Sequence, residues 1–145
     1  MNGRFETFTV LIAKINRSIR RIKSQEMAEY DLKSSHVSCI YYIYSSGTLT
    51  ATELCERSEE DKATVSRALD YLEKNEYIVR DTSSGRRYKS TLSLTEKGRE
   101  VGDKLTFKID SMLNEVGTRL SESEREEMYR CLTIVSDSLD AIGSR

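Results

Sequence analysis

Apolar and polar positions alternate along this chain with two different periods, and the change of period marks out its parts. Phe8, Leu11, Ile12, Ile15, Ile19 and Ile22 keep helical spacing, which predicts one long amphipathic helix over about residues 5–28. Tyr30-Asp31-Leu32 reads as a connector. Ser34 or Ser35 is then expected to cap a second helix. From Val37 to Tyr44 that helix is apolar nearly all round, so it is expected to be buried, with Tyr41, Tyr42 and Tyr44 in the core, their hydroxyls needing partners there, or with one or two of them lining a pocket. Ser45-Ser46-Gly47 breaks it, and Thr48-Leu49 is a candidate short strand.

Thr50-Ala-Thr-Glu53 is a capping box, in which a hydroxyl and a carboxylate satisfy the first free amides of a helix. It opens a short helix ending near Glu56. After Arg57-Ser58-Glu59-Glu60, a further helix is predicted over Asp61 to Lys74. Val65, Ala68, Leu69 and Leu72 form its apolar stripe. At about 100° per residue, the opposite side carries Ala63, Arg67, Asp70 and Lys74, flanked by Thr64 and Ser66. Short polar residues near a helix N-terminus suit a major-groove reader, because they let the backbone approach base edges.

The period then falls to two. Tyr77-Ile78-Val79-Arg80 predicts a strand. Tyr88, Leu92 and Leu94 alternate with Lys89, Thr91 and Ser93 in a second one. Ser83-Ser84-Gly85 lies at the tip between them. Arg86, Arg87 and Lys89 follow, with no acid from Thr82 to Thr95. Helix, turn, helix and basic hairpin make a winged helix-turn-helix. Its wing can lie along a minor groove or a phosphate ridge while the second helix enters the major groove.

Three segments carry a resemblance to a known family: Ala63-Thr64-Val65-Ser66-Arg67, the run from Leu72 to Arg80, and Leu94-Thr95-Glu96-Lys97-Gly98. In this order and spacing the chain resembles the MarR family of transcriptional regulators over nearly its whole length. The resemblance implies a homodimer on a pseudo-palindromic site in double-stranded DNA. It places Lys62, Ala63, Thr64, Ser66 and Arg67 at the major groove and Arg86, Arg87 and Lys89 in the wing. It further implies dimerisation through the first and the last two helices, and a small-molecule effector bound between those helices and the DNA module. Repression is the commoner mode in the family. Two departures stand out. Glu76 occupies a position where the family usually has Gly, and Asn75 is expected to take the left-handed turn instead. The wing reads Gly85-Arg86-Arg87-Tyr88, without the family's usual Asp-x-Arg, which makes its tip more basic.

Past Gly98 the helical period returns. Leu105, Ile109, Met112, Val116 and Leu120 form one stripe. Met128, Leu132, Val135, Leu139 and Ile142 form another, after a second capping box at Ser121–Glu124. The fold class is therefore mainly α with a small β hairpin. Residues 1–30 are expected to be a dimerisation helix, 31–98 the winged helix-turn-helix, and 99–145 the C-terminal dimerisation helices, joined to the module without a linker.

Composition changes the picture in three places. The net charge of −1 over 145 residues looks wrong for a DNA binder. Residues 61–99, however, hold nine basic and six acidic residues, while residues 100–145 hold six and ten. Local rather than total charge attracts phosphate. Arg17, Arg20, Arg21 and Lys23 add a basic face to the first helix, read as solvated rather than DNA-bound. No apolar run approaches the roughly 20 residues of a membrane span, and no signal peptide opens the chain, so a cytoplasmic protein without membrane contact is expected.

Candidate chemistry is sparse. Cys39, Cys55 and Cys131 are odd in number and far apart, so they predict neither disulfides nor zinc. They are read as buried packing residues. An oxidant-sensing branch of the family uses a cysteine in its first helix, which this chain lacks. His36, the single histidine, is expected to be locally hydrogen-bonded rather than a phosphate contact or an effector-pocket wall. No nucleophile elbow, phosphate loop or metal cluster is present, so no enzyme and no cofactor is expected. The rival reading is a dimeric winged-helix adaptor that binds proteins rather than DNA, slightly favoured by Asp70 on the outward face and by the overall acidity.

Overall fold

A computed structural model of the chain describes residues 3–58, 60–83, 85 and 89–145. The elements run α1 (Arg4–Glu26), a 3-10 turn (Ala28–Tyr30), α2 (Ser34–Ser46), β1 (Thr48–Thr50), α3 (Ala51–Arg57), α4 (Lys62–Lys74), β2 (Ile78–Asp81), β3 (Thr91–Leu94), α5 (Glu96–Gly117) and α6 (Glu122–Gly143). The three strands form one antiparallel sheet in the order β1-β3-β2. Thr48 and Leu49 thus join the hairpin as the expected third strand, with Leu49 opposite Leu92. The architecture is the winged helix-turn-helix read from the pattern. Two compact units divide the chain, one up to Thr106 and the other from Phe107 to Arg145.

The first unit has a continuous core. Val37, Ile40 and Ile43 of α2, Leu54 of α3, and Val65, Leu69 and Leu72 of α4 are all buried, with Ile78 and Leu92 of the sheet and Val101 and Leu105 of α5. The i, i+3, i+4, i+7 stripe of α4 is its buried side, because only that spacing keeps one face of a helix against a core. Burial of such side chains stabilises the unit by roughly 1.5–3 kcal/mol each.

Two expectations for α2 are corrected. The helix begins at Ser34, and neither Ser34 nor Ser35 caps it. The N-cap is Lys33, whose amide donates to His36 Nδ1 at 3.0 Å. Imidazole has a free lone pair that can do the work of a capping side chain one turn into the helix. Tyr41, Tyr42 and Tyr44 are half-buried rather than core, since their hydroxyls need polar surroundings. Tyr44 donates to Asp103 of α5 and stands against Gly102, where an added Cβ would come within 2.4 Å of its ring.

The basic face of α1 is not simply solvated. Arg20 pairs with Glu60 at 3.2 Å, and Lys23 donates to Ser38 of α2 at 3.0 Å. Arg17 and Arg21 are exposed. Phe8, Leu11, Ile12, Ile15 and Ile19 are also exposed along α1.

In the second unit the Ser121 box forms as expected. Glu124 N donates to Ser121 Oγ at 3.1 Å, and Ser121 N donates to Glu124 Oε1 at 2.9 Å. The Ser121 amide, and after it the Ser121 hydroxyl, hold the Glu124 carboxyl below the usual carboxylate range. Arg125 donates to the Gly117 carbonyl at 2.9 Å, closing the turn before α6. Leu113, Val116, Met128, Leu132, Leu139 and Ile142 are exposed.

Candidate nucleic-acid interface

The helix-turn-helix is set by two caps. Thr50 ends β1 and opens α3, accepting the Glu53 amide at 3.1 Å. Glu53 does not reach back to an amide. Its carboxylate accepts from the Thr50 hydroxyl at 3.2 Å, so only half of the expected box forms. Asp61 caps α4, accepting from Thr64 N at 2.7 Å. Its carboxyl is held below the ordinary range, chiefly by the Thr64 amide and then by the Thr64 hydroxyl. An anion at this end also suits the positive end of the helix dipole.

With the apolar stripe inward, Lys62, Ala63, Ser66 and Arg67 lie exposed on the outer side of α4. Thr64 is half-buried at the border, and its hydroxyl accepts from Arg67 Nη2 at 3.3 Å. The fold thus brings the five predicted α4 residues onto one polar surface with two cations and a small central residue. A surface of this shape can approach base edges closely and donate bidentately to guanine.

In the wing, Asp81 accepts from Ser83 N at 3.0 Å and Gly85 N donates to Thr82 O at 2.9 Å. The Ser83 amide, as the largest influence, holds the Asp81 carboxyl below its usual range. Gly85 takes φ 70°, the left-handed conformation that a tight tip needs. Lys89 is exposed. Arg86 and Arg87 lie outside the described residues.

The C-terminal end of α4 departs from expectation. Asn75 has φ −93°, and the left-handed residue is Glu76, at φ 63°. Tyr77 N donates to Leu72 O at 2.8 Å and Glu76 N to Glu73 O at 3.1 Å, the two bonds of a Schellman motif. Two bonds from the start of α5 and the residue before it offset the cost of a non-glycine residue here. Thr95 Oγ1 donates to Glu76 O at 2.6 Å, and Lys97 Nζ donates to Asn75 O at 2.8 Å. The Thr95 hydroxyl also accepts from Gly98 N at 3.1 Å, opening α5. Gly98 is required because a Cβ there would lie 2.1 Å from the Tyr77 carbonyl oxygen. The Leu94–Gly98 segment therefore latches the end of α4 to the start of α5.

Sequence reading missed Arg80. Its side chain is only 6% exposed, and its guanidinium lies 3.4 Å from Asp70 Oδ1 and 3.3 Å from Glu73 Oε1. Its partners lie on another element, so no local pattern in the sequence signalled the pairing. Between α3 and α4 runs a cleft of about 540 Å³, lined by Thr52, Cys55, Ser66, Leu69 and Arg80 among others. Cys55 is only half-buried and Cys131 is exposed, so the packing role read for all three thiols holds for Cys39 alone. Among the described residues, no group of three or more metal-ligating side chains converges, and no helix is long and apolar enough to cross a membrane.

Residues 30–87 match the model of the MarR family. An uncharacterized HTH-type transcriptional regulator of Bacillus cereus is 30% identical over 130 residues, covering 86% of this chain and 83% of the relative. The chain belongs to the MarR family. Solved structures agree on the fold of this MarR-family transcriptional regulator. The Staphylococcus aureus MepR–DNA complex superposes with a TM-score of 0.80 at 24% identity, covering 91% of this chain and 97% of MepR. A putative MarR-family regulator from Listeria monocytogenes, complexed with 26mer DNA, gives a TM-score of 0.80 at 22% identity, covering 88% and 85%.

Proposed function

We propose that this MarR-family regulator binds a pseudo-palindromic operator in duplex DNA as a homodimer, and acts as a repressor released by a small molecule. The observation that carries the reading is the outer side of α4, where Lys62, Ala63, Thr64, Ser66 and Arg67 form a polar, cationic surface around a firmly seated helix. The DNA complexes of MepR and of the Listeria regulator, which share the fold, support the same use of it. Arg86, Arg87 and Lys89 supply phosphate contacts from the wing. Residues 1–30 and 99–145 supply the dimer contacts, through the apolar residues that α1, α5 and α6 leave exposed. Asp70, one of the two features that favoured a protein adaptor, pairs with Arg80 and so has a role inside the winged-helix module.

Selection from a random-sequence duplex library, followed by anisotropy titration of the enriched duplex, tests this reading. The expected result is a two-fold-symmetric consensus. Arg67→Ala should weaken binding by about 1–3 kcal/mol per half-site and relax one base position. Failure to enrich any duplex contradicts DNA binding. Unchanged preference in the Arg67 variant removes Arg67 from the reading surface.

A further inference from the structure

Arg80 stands on β2, opposite Leu92 of β3, yet its charge is used on α4. The guanidinium is buried while both of its carboxylates reach the surface: the Asp70 side chain is 54% exposed and that of Glu73 42%. Asp70 follows Ser66 by one helical turn and Arg67 by three residues, so it continues the surface that carries the groove-facing side chains. Both carboxylates lie where they would face the phosphates of any duplex lying along α4. Arg80 approaches them from the protein side and leaves the outer face of the helix open. The Asp70 contact is a hydrogen bond from Nη2, whereas the Nε–Glu73 contact is an ion pair without hydrogen-bond alignment. A cation in this position neutralises the acids without occupying the groove-facing side.

We infer that Arg80 is a positioning residue for DNA recognition: it masks Asp70 and Glu73 on the recognition helix, so that the α4 surface carries net positive charge towards phosphate. The inference rests on the DNA-binding reading above and adds to it a residue that touches no DNA itself. A buried arginine kept only for packing would be replaceable by an apolar side chain of similar length. A masking arginine is replaceable only if the acids it masks are removed with it.

The probe is the duplex enriched from the random library by the wild-type full-length chain, with a scrambled duplex as control. Arg80→Met should bind both duplexes about tenfold more weakly, the size expected when one member of a coupled charge group is lost. The defect should shrink as salt is raised, because repulsion between exposed charges is screened beyond about 8–10 Å. Adding Asp70→Asn and Glu73→Gln to Arg80→Met should restore most of the affinity, and Arg80→Lys should lie between wild type and Arg80→Met. Should Arg80→Met fail to fold, Glu73→Gln in the otherwise native chain carries the test, since removing one masked acid should tighten binding to the scrambled duplex. A folded Arg80→Met variant with wild-type affinity overturns the inference. So does a defect that neutral Asp70 and Glu73 variants leave in place, or a Glu73→Gln chain that binds no tighter. If the wild-type chain enriches no duplex, the DNA-binding reading falls first and this inference with it. If it does enrich one, the Arg80 variants judge the inference alone.

Discussion

His36 stacks on Tyr71, with ring centroids 4.2 Å apart and planes 12° from parallel. The pair joins the first turn of α2 to the flank of α4, beside its buried stripe, and the Tyr71 hydroxyl donates to Asp31 O at 3.0 Å. His36 Nδ1 accepts the Lys33 amide, so the imidazole serves this contact in its neutral form. Burial, as the largest influence, and then the Lys33 ammonium hold the imidazole below its ordinary value of 6.5, opposed by Asp31. The unfolded chain therefore takes up this proton at a higher pH than the folded one. Stability from this group is present in full above the unfolded value and is lost as pH falls through the folded one.

The seating of α4 should accordingly weaken on acidification. Between about pH 7.5 and 5.5 the urea midpoint of the wild-type chain should fall, and that of His36→Gln should fall less. A wild-type midpoint constant over this window, or an equal fall in both chains, contradicts the role given to His36.

Glu76 and Gly98 make a paired prediction with opposite signs. Glu76→Gly removes a left-handed strain and should stabilise the chain by about 1 kcal/mol. Gly98→Ala pushes a methyl group into the Tyr77 carbonyl and should cost about 2–3 kcal/mol. Thermal or urea unfolding of the two variants beside wild type decides it. Two changes of the same sign would show that the latch between α4 and α5 is wrongly described.

These residues also show where sequence reading succeeded and where it stopped. Val65, Ala68, Leu69 and Leu72 were legible because burial of one helix side leaves a periodic trace, and the Ser121 box was legible because both partners are local. Glu76 was not legible. By propensity Asn75 is the better left-handed residue, but the bonds from Thr95 and Lys97, some twenty residues away, fix the turn one position later. The His36 cap was hidden because imidazole is not a usual capping group, and Arg80 because its partners lie on another element. The tyrosines of α2 were over-assigned to the core: apolar spacing does not report the surroundings that a hydroxyl needs. Of the candidate DNA contacts, the α4 set falls on one surface, while Arg86 and Arg87 lie outside the described residues.

The exposed apolar residues of α1 and α6 lead to a prediction about assembly. Ile15 and Leu139 are 55% and 54% exposed, and each has several apolar neighbours on its helix in the same state. Soluble monomers rarely leave so much contiguous apolar surface in water. Light scattering at micromolar concentration should give twice the chain mass. Ile15→Asp with Leu139→Asp should be monomeric or unfolded, and should lose the enriched duplex in either case. A wild-type chain that runs as a folded monomer contradicts this.

Hydroxyl-radical footprinting of the wild-type chain on its enriched duplex tests the central claim most directly. Two copies related by two-fold symmetry should protect two half-sites whose centres lie about one helical turn, roughly 34–36 Å, apart. Protection of a single half-site, or cleavage that stays uniform along the duplex, would contradict a dimer reading DNA through α4.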